Sequence, residues 1–394
     1  MSIFLMVPKA EAGVAITGDV NPATDPSTWG NYSTVSIGIS SEGAVSITDG
    51  SSLNDGRDVE IGSYGEVTID GNGSTWLYPN FKVLGKLSIT NGGYSDGYSG
   101  QQHIGWGTYT NGAVTVDGQG SEWFARSTFY IGWRNSRGTL TITNGGSVSS
   151  PSAFWGNNSW GEAIVNVDGE GSSLTISSQT QMGKDDYYSG VCHMDITNGG
   201  SVDTGSTSLE NGTVMVDGVG SSWAYGTLSS YGTITISNRA RMEGYLSKIY
   251  KGTITLDGEG TAWDNNNDLR LGMSYYNMPG TGLLKILNNS TVSVTGFTEI
   301  GEHGAIAFGS HGGVLTTGTL RFDSDQISGS GTIHTSGLVG DLDIVFDDSL
   351  GNQQTFFING ATLNLTIDGT SELGAGYRDD GTITIKDRAI VNTN

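Results

Sequence analysis

Residues 112–123 read GAVTVDGQGSEW, and residues 138–148 read GTLTITNGGSV. Variants of these two phrases alternate along most of the chain, and each places Asp or Asn after a run of alternating Val, Ile, Leu and Thr. A period of two that ends in Asp-Gly or Asn-Gly is typical of a β-strand followed by a tight turn. From Asp49 to Asn288 the spacing averages about 24 residues, which indicates a repeat architecture. The marker residues are Asp49, Asp70, Asn91, Asp117, Asn144, Asp168, Asn198, Asp217, Asn238, Asp257 and Asn288.

A unit of this length accommodates two or three short strands, whereas a propeller blade needs about 40 residues. We therefore predict an all-β fold, a right-handed parallel β-helix (β-solenoid) of about 15 coils of about 24 residues each. A propeller with two units per blade is the minority alternative. The coil count extends the markers through Asp323, Asp347, Asp368 and Asp387. The expected organisation is a signal-like or disordered N-terminus (1–12), an alternating-repeat solenoid (13–310) and more divergent C-terminal coils (311–394).

The composition excludes several classes of protein. The 394 residues include 63 Gly but only 6 Pro, without the period of three that collagen requires. One Cys cannot form an intramolecular disulfide framework, and no apolar run is long enough for a transmembrane helix. The 40 acidic residues against 18 basic ones give a net charge of −22, which argues against a nucleic-acid partner.

The alternation also predicts which side chains lie inside. Leu140 and Ile142 should point into the core, while the Thr residues between them point outward. Cys192 has the inward phase and should be a buried thiol with no catalytic role. The Trp that closes the first phrase is replaced by Leu174 in one copy, which favours packing over ligand binding. Those Trp residues are Trp76, Trp123, Trp223 and Trp263.

The Asp-Gly and Asn-Gly pairs have the chemistry of structural turns, because Asp and Asn accept local hydrogen bonds and tolerate left-handed backbone. Weak surface calcium sites are the alternative, although the established calcium-loop patterns are absent. We expect no cofactor and no metal site. We also expect no catalytic residues, because the five His have no metal-binding spacing and no catalytic triad can be assembled from the sequence.

The turns that precede the phrases carry a second set of aromatic residues. If the coils stack in register, these rings form a ladder along one edge, where they could contact sugar faces while neighbouring Asp side chains bind hydroxyls. The alternative is that the rings cover the ends of the core. The candidate contact residues are Trp106, Tyr109, Trp133, Trp155, Trp160, Asp185, Asp186, Tyr187, Tyr188, Tyr275 and Tyr276; Tyr64, Tyr231 and Tyr250 occupy similar turns.

The sequence resembles exported bacterial β-solenoid repeat proteins of the autotransporter-passenger and PEP-CTERM-associated kinds. The resemblance rests on VDGQGSEW (116–123), YIGWRNSRGTLTITNGGSV (130–148) and VDGVGSSW (216–223). It implies a secreted or cell-surface bacterial protein, and Ala10-Glu11-Ala12 fits a signal-peptidase site. No C-terminal barrel pattern or Pro-Glu-Pro sorting tail is present in this sequence, which is compatible with a fragment of a longer exported protein.

From these observations the sequence favours a non-catalytic structural or adhesive protein that contacts glycans or polymers through the aromatic turns. Two alternatives remain: a polysaccharide-active lyase or hydrolase with a β-helix fold, and a protomer that self-associates into an extracellular filament.

Overall fold

A computed structural model gives the fold. It describes residues 13–23, 29, 34–54, 58–157, 160–184, 189–274, 278–341, 343–347, 353–358, 361–367 and 372–386.

The repeating unit is one coil of a parallel β-solenoid. In a representative coil, strand Arg137–Thr143 lies in one sheet and strand Ser147–Trp155 in another, after which strand Glu162–Asp168 returns to the first sheet one coil further on. We call these sheets 1 and 2. The first turn, with Asp-Gly or Asn-Gly, leads from sheet 1 to sheet 2, and the second turn leads back.

Sheet 1 is a stack in which successive coils pair in parallel, apart from its first strand. Its strands in the described part of the chain are Gly13–Gly18, Gly43–Thr48, Gly65–Asp70, Lys86–Thr90, Asn111–Asp117, Arg137–Thr143, Glu162–Asp168, Val191–Thr197, Gly212–Asp217, Thr233–Ser237, Thr253–Asp257, Leu283–Leu287, Ala305–Phe308 and Ile327–Ser328.

Sheet 2 has either one long strand or two short strands per coil. The described strands are Val20–Asn21, Thr34–Ile37, Ser52–Asn54, Asp58–Ile61, Thr75–Tyr78, Phe81–Val83, Tyr94–Gly97, Gln102–Trp106, Glu122–Ala125, Thr128–Trp133, Ser147–Trp155, Ser173–Met182, Ser201–Leu209, Ser222–Ser230, Arg241–Ile249, Ala262–Asn265, Leu269–Leu271, Thr291–Ile300, Val314–Phe322, Gly331–Gly340, Gln353–Ile358, Ala361–Ile367 and Leu373–Ala375.

The core lies between the two sheets and is continuous along the stack. Leu140 and Ile142 are buried and are in register with Val114 and Val116 of the preceding coil. Burial of each such side chain stabilises the fold by about 1.5–3 kcal/mol. The inward phase predicted from the alternation is therefore confirmed, and it includes Cys192, which is fully buried.

The stack contains about 12 turns, so the predicted count of about 15 coils was too high, and its handedness also differs from the right-handed winding that we predicted. Of the later markers, Asp323 and Asp347 do not end strands of sheet 1, and Asp368 and Asp387 lie outside the described residues. Asp323 precedes a short 3-10 helix, Ser324–Gln326, and strand Asp343–Asp347 pairs with Thr382–Lys386 in a separate two-stranded sheet. Strands Gln353–Ile358 and Ala361–Ile367 pair antiparallel. A regular marker spacing thus did not guarantee that each marker closes a coil.

The parallel stack begins under an antiparallel strand. Gly13–Gly18 pairs antiparallel with Gly43–Thr48 in sheet 1, and Val20–Asn21 does the same with Thr34–Ile37 in sheet 2. Trp29 is fully buried. These pairings satisfy the backbone of the first parallel coil, which would otherwise be an open sheet edge. Residues 1–12 lie outside the described residues.

Candidate functional site

The acidic side chains of the first turn accept hydrogen bonds from the next coil. Asp168 Oδ1 accepts one from Thr197 Oγ1 at 2.6 Å and another from Asn198 Nδ2 at 2.6 Å. The same two contacts recur at Asp70 and Asp117. One phrase therefore supplies the acceptor and the other supplies two donors, which explains why the phrases alternate.

The Ser of the first phrase ties its coil to the preceding one. Ser172 is buried; its hydroxyl donates to the Asp168 carbonyl at 2.7 Å and accepts from the Gly145 amide at 3.1 Å. Left-handed backbone falls on Asn144, at φ 53°, but in the Asp coil it falls on Gly169 instead of the acid. Asp in the first phrase thus serves as an acceptor at the strand end, and Gly makes the turn.

The Trp residues that close the first phrase belong to the core. Trp76, Trp123, Trp223 and Trp263 are fully buried, as is Leu174 at the equivalent place. The predicted packing role is confirmed for these five positions. The aromatic candidates that remain are those of the second turn.

At the second turn, two indole rings of successive coils lie parallel. Trp106 and Trp133 are in register, with ring centroids 6.1 Å apart and an interplanar angle of 2°. Both are partly exposed. The sequence Ile-Gly-Trp ends both strands, and the left-handed Gly105 and Gly132 turn the backbone there, which directs both indoles to the same side.

Two aromatic residues of the second turn are exposed and have left-handed backbone. Tyr109 is 84% exposed and Trp160 is 60% exposed, and each has φ 62°. The Tyr109 amide donates to the Asn135 carbonyl at 2.9 Å, so Tyr109 and Asn135 occupy equivalent turn positions. A bulky residue in left-handed backbone is a genuine conformational outlier. Function is a common reason for such strain at an exposed site.

One predicted contact residue does not belong to this surface. Trp155 is fully buried, because it is in register with the inward-facing Ile131. Its ring cannot reach a ligand outside the solenoid. Six further predicted contact residues lie outside the described residues: Asp185, Asp186, Tyr187, Tyr188, Tyr275 and Tyr276.

Tyr231 and Tyr250 form a second stacked pair at the second turn further along the stack, with ring centroids 5.1 Å apart and planes 15° apart. Ser230 is in register through the stack with Ile131, so Tyr231 takes the place of Gly132 and not of Trp133. The described turns thus hold two stacked pairs and two exposed rings, which do not form one continuous ladder. We call the set the aromatic edge: Trp106, Tyr109, Trp133, Trp160, Tyr231 and Tyr250.

The outer face of sheet 2 adds a column of side chains beside this edge, which we call the outer strip. Its members come from eight successive coils in register and alternate with buried neighbours along each strand. They are Lys82, His103, Tyr130, Phe154, Gln181, Ser208, Ser229 and Lys248. At about 4.8 Å per coil, the strip is about 34 Å long.

Three neighbouring members of the strip form an aromatic stack. His103 and Tyr130 lie 4.7 Å apart at 12°, and Tyr130 and Phe154 lie 5.5 Å apart at 17°. The Trp106 ring packs edge-on against His103 at 4.3 Å, which joins the strip to the aromatic edge. Sequence reasoning missed these three residues, although the shared Ile-Gly-Trp endings of QHIGW and FYIGW would have aligned His103 with Tyr130.

His103 contributes an uncharged ring. Burial, together with the charge of Lys82, lowers the pKa of His103 to about 3. Its Nδ1 atom is buried and makes no hydrogen bond to any described residue. The imidazole is therefore neutral at physiological pH and acts in the stack as an aromatic ring.

The strip then passes into a groove with a volume of about 490 Å³, which polar and apolar side chains line together. Hydroxyl and amide groups of the outer strip, and of residues two positions earlier in the same strands, line the groove together with the stacked pair Tyr231 and Tyr250. Glu210 Oε1 accepts a hydrogen bond from Gln181 Nε2 at 2.6 Å. The principal lining residues are Gln179, Ser206, Ser208, Glu210, Ser229, Tyr231, Tyr250, Lys251, Met273 and Met278.

A separate charged cluster holds the C-terminal segment against the coils. Arg378 Nη1 lies 2.9 Å from Asp323 Oδ2, and the Arg378 amide donates to Asp341 at 3.0 Å. The Tyr377 hydroxyl donates to Glu299 at 2.7 Å. Burial, and then the hydrogen bond with Asp341, raise the pKa of Asp323 to about 6. This cluster is structural, because its contacts join the C-terminal segment to the preceding coils.

The groups that could take part in catalysis or metal binding are few in the described residues. Burial raises the pKa of the Cys192 thiol, which keeps it protonated. Within the described residues no three His, Cys, Asp or Glu side chains lie close enough together to hold a metal ion. The described residues also include no helix that is long and apolar enough to cross a membrane. Comparisons with protein-family models, curated proteins and solved structures gave no match.

Proposed function

We propose that this chain is an exported, non-catalytic surface or matrix protein whose parallel solenoid contacts an extended polymer, foremost a glycan. The contact surface is the aromatic edge together with the outer strip. The observation that carries the proposal is the pair of exposed, left-handed aromatic residues, Tyr109 and Trp160.

Their conformation opposes stability. A left-handed backbone costs an L-residue about 1–2 kcal/mol relative to the right-handed form. Their rings are too exposed for core packing to compensate for that cost. Asn135, at the equivalent position in the coil between them, shows that a residue tolerant of this backbone fits the same turn. Selection for ring contact with another molecule accounts for Tyr109 and Trp160.

The arrangement suits a long ligand. The strip and the aromatic edge both follow the stacking direction, so the strip presents one outward side chain at each coil step of about 4.8 Å: an aromatic stretch at His103, Tyr130 and Phe154 is followed by amide and hydroxyl side chains. Aromatic faces can pack on the apolar faces of sugar rings, while Ser, Gln and Glu side chains bind hydroxyls. An extended polymer parallel to the axis would use contacts from several coils at once, and multiple weak contacts then add to useful avidity.

Export is supported by the resemblance to bacterial secreted repeat proteins and by Ala10-Glu11-Ala12.

The test is binding to a panel of insoluble and soluble polysaccharides, measured by co-sedimentation and affinity electrophoresis. The Tyr109→Ala/Trp160→Ala variant should lose at least tenfold in affinity, because it removes both exposed rings. The matched control is Tyr245→Ala, which removes a ring with 58% exposure from outside the aromatic edge. The proposal fails if the wild-type chain binds none of the polymers, or if the control weakens binding as much as the double variant.

A further inference from the structure

We infer that the ligand of the outer strip is an acidic polysaccharide, one whose sugars carry carboxylate or sulfate groups. The inference rests on the proposed function and specifies its ligand class. Its first support is the charge of the strip: eight successive coils supply Lys at both ends and no carboxylate between them. The chain as a whole has 40 acidic residues against 18 basic ones.

At one end, two cations meet the same indole. Lys82 Nζ lies 5.7 Å from the centroid of the Trp106 ring, and Arg134 Cζ lies 5.1 Å from it. Neither forms an ion pair with a described residue, although Glu60 is in register with Lys82 in the preceding coil. An anionic sugar substituent that reaches the exposed part of Trp106 would therefore meet two cations that form no ion pair within the described residues.

Arg134 is held at this place by an unusual turn. Its backbone is left-handed, with φ 60°, and its side chain is exposed. Its cation–π contact with Trp106 contributes little at an exposed site. An arginine also presents a planar fork of donors that matches carboxylate and sulfate oxygens. The turn thus places an anion-binding group next to a sugar-binding ring.

At the other end, like charges face each other. Lys248 is in register with Arg270 of the next coil, and neighbouring like charges in a sheet are destabilising. The nearest carboxylate oxygens to Arg270, on Asp268 and Glu299, are 3.8 Å away, which is a weak pairing. Lys251 lines the adjacent groove. Arg270 thus has two acidic neighbours, whereas Lys248 forms no ion pair with a described residue and is the cation available to a bound anion at this end.

Between the two ends the contacts are neutral or accept hydrogen bonds. Tyr130 and Phe154 offer uncharged aromatic surface beside the buried His103 ring, and the groove offers hydroxyls and amides together with Tyr and Met side chains. Glu210 is the acidic group there, and its hydrogen bond with Gln181 directs it to an amide of the strip. This pattern fits a polymer with hydroxyls along its length and anionic groups that meet the cations at each end.

The experiment compares one backbone with and without its charge: oligogalacturonate and its fully methyl-esterified form, measured by titration calorimetry with the whole chain. We expect the acidic oligomer to bind at least tenfold more tightly, and that preference should shrink as salt is raised, since screening weakens exposed charge pairs. The Lys82→Gln/Arg134→Gln variant should remove most of the preference. The Lys86→Gln/Lys285→Gln control, which makes the same charge change on sheet 1, should keep it.

Three other outcomes would overturn the inference, and each has a different meaning. Equal binding of both oligomers, still dependent on Tyr109 and Trp160, would reject an acidic ligand and leave the proposed function intact. No binding of either oligomer, with no polymer bound in the wider panel, would reject both. Equal affinity for oligogalacturonate and single-stranded DNA, unaffected by Tyr109→Ala/Trp160→Ala, would mean non-specific attraction of polyanions.

Discussion

Asp168→Ala should destabilise the solenoid by about 2–3 kcal/mol. The substitution removes the acceptor for Thr197 Oγ1 and Asn198 Nδ2, each at 2.6 Å. A hydrogen bond to a charged group contributes about 1.5–3 kcal/mol, and we take the lower value because Asn198 is exposed. The two bonds together then contribute about 3 kcal/mol.

A smaller effect acts in the opposite direction. The nearest equivalent carboxylates, Asp117 and Asp217, lie two coils away on either side, or about 10 Å. At that separation in water the repulsion is about 0.4 kcal/mol per pair before salt screening. Relief of this repulsion therefore offsets less than about 1 kcal/mol of the loss, and hydrogen bonding decides the sign.

The assay is urea unfolding followed by tryptophan fluorescence, with hydrogen exchange of strands Glu162–Asp168 and Val191–Thr197 as a local measure. Local measurement matters because coils in a repeat protein contact only their neighbours and can unfold separately. The matched control is Glu170→Ala, which removes the same charge from an exposed side chain of the same turn. We expect it to change stability by less than about 0.5 kcal/mol.

Two outcomes would refute this reasoning. The first is that Asp168→Ala is no more destabilising than Glu170→Ala. The second concerns the exchanged pair Asp168→Asn/Asn198→Asp, which returns one acid and one amide to the two turns. It should recover part of the stability lost in Asn198→Asp alone, where two carboxylates face each other. No recovery would mean that the alternation of phrases is not a matter of donors and acceptors.

Three further predictions address single residues. Tyr109→Gly should be more stable than Tyr109→Ala by about 0.5–1 kcal/mol in urea unfolding, because Gly avoids the left-handed penalty of about 1–2 kcal/mol but gains freedom in the unfolded chain; equal stability would mean that the turn is unstrained. His103, with its pKa lowered to about 3, contributes stability that is complete above about pH 6.5 and is lost as the pH falls toward 3. The loss should reach about 2 kcal/mol at pH 5 and be absent in His103→Phe, and a similar acid loss in that variant would contradict it. Asp323, with its pKa raised to about 6, contributes stability that is complete below about pH 4 and is lost as the pH rises through 6. Exchange protection of the Tyr377 and Arg378 amides should therefore weaken between pH 5 and 7 in the native chain but not in Asp323→Asn, and unchanged protection in the native chain would count against this linkage.

The core could be predicted from the sequence because two signals agreed. Alternation with period two assigned Leu140 and Ile142 to the inside, and the repeated phrases fixed the register of their neighbours. Cys192 and the Trp residues of the first phrase followed from the same rule. A solenoid repeats one local pattern, so a local pattern was sufficient.

The second turn could be predicted only in part, because Gly bulges there shift the phase of the alternation. Trp133 follows Gly132 and points out, whereas Trp155 precedes Gly156 and takes the inward place of Ile131. An alignment of the two turns on Gly132 and Gly156 would have shown that Trp133 and Trp155 occupy different positions. The hydrogen bonds from Asn198 and Thr197 to Asp168 join residues that are about one coil apart, so they required the register in three dimensions.

The most direct test of the account is acrylamide quenching of tryptophan fluorescence with and without an acidic oligosaccharide. Of the nine Trp, Trp106, Trp133 and Trp160 are exposed at least in part, and the other six are fully buried. If the polymer lies on the aromatic edge, saturating oligogalacturonate should reduce the quenching of the exposed Trp residues by acrylamide. In Trp160→Phe, oligogalacturonate should still reduce the quenching of Trp106 and Trp133. Binding that leaves quenching unchanged would place the ligand elsewhere and contradict the central claim.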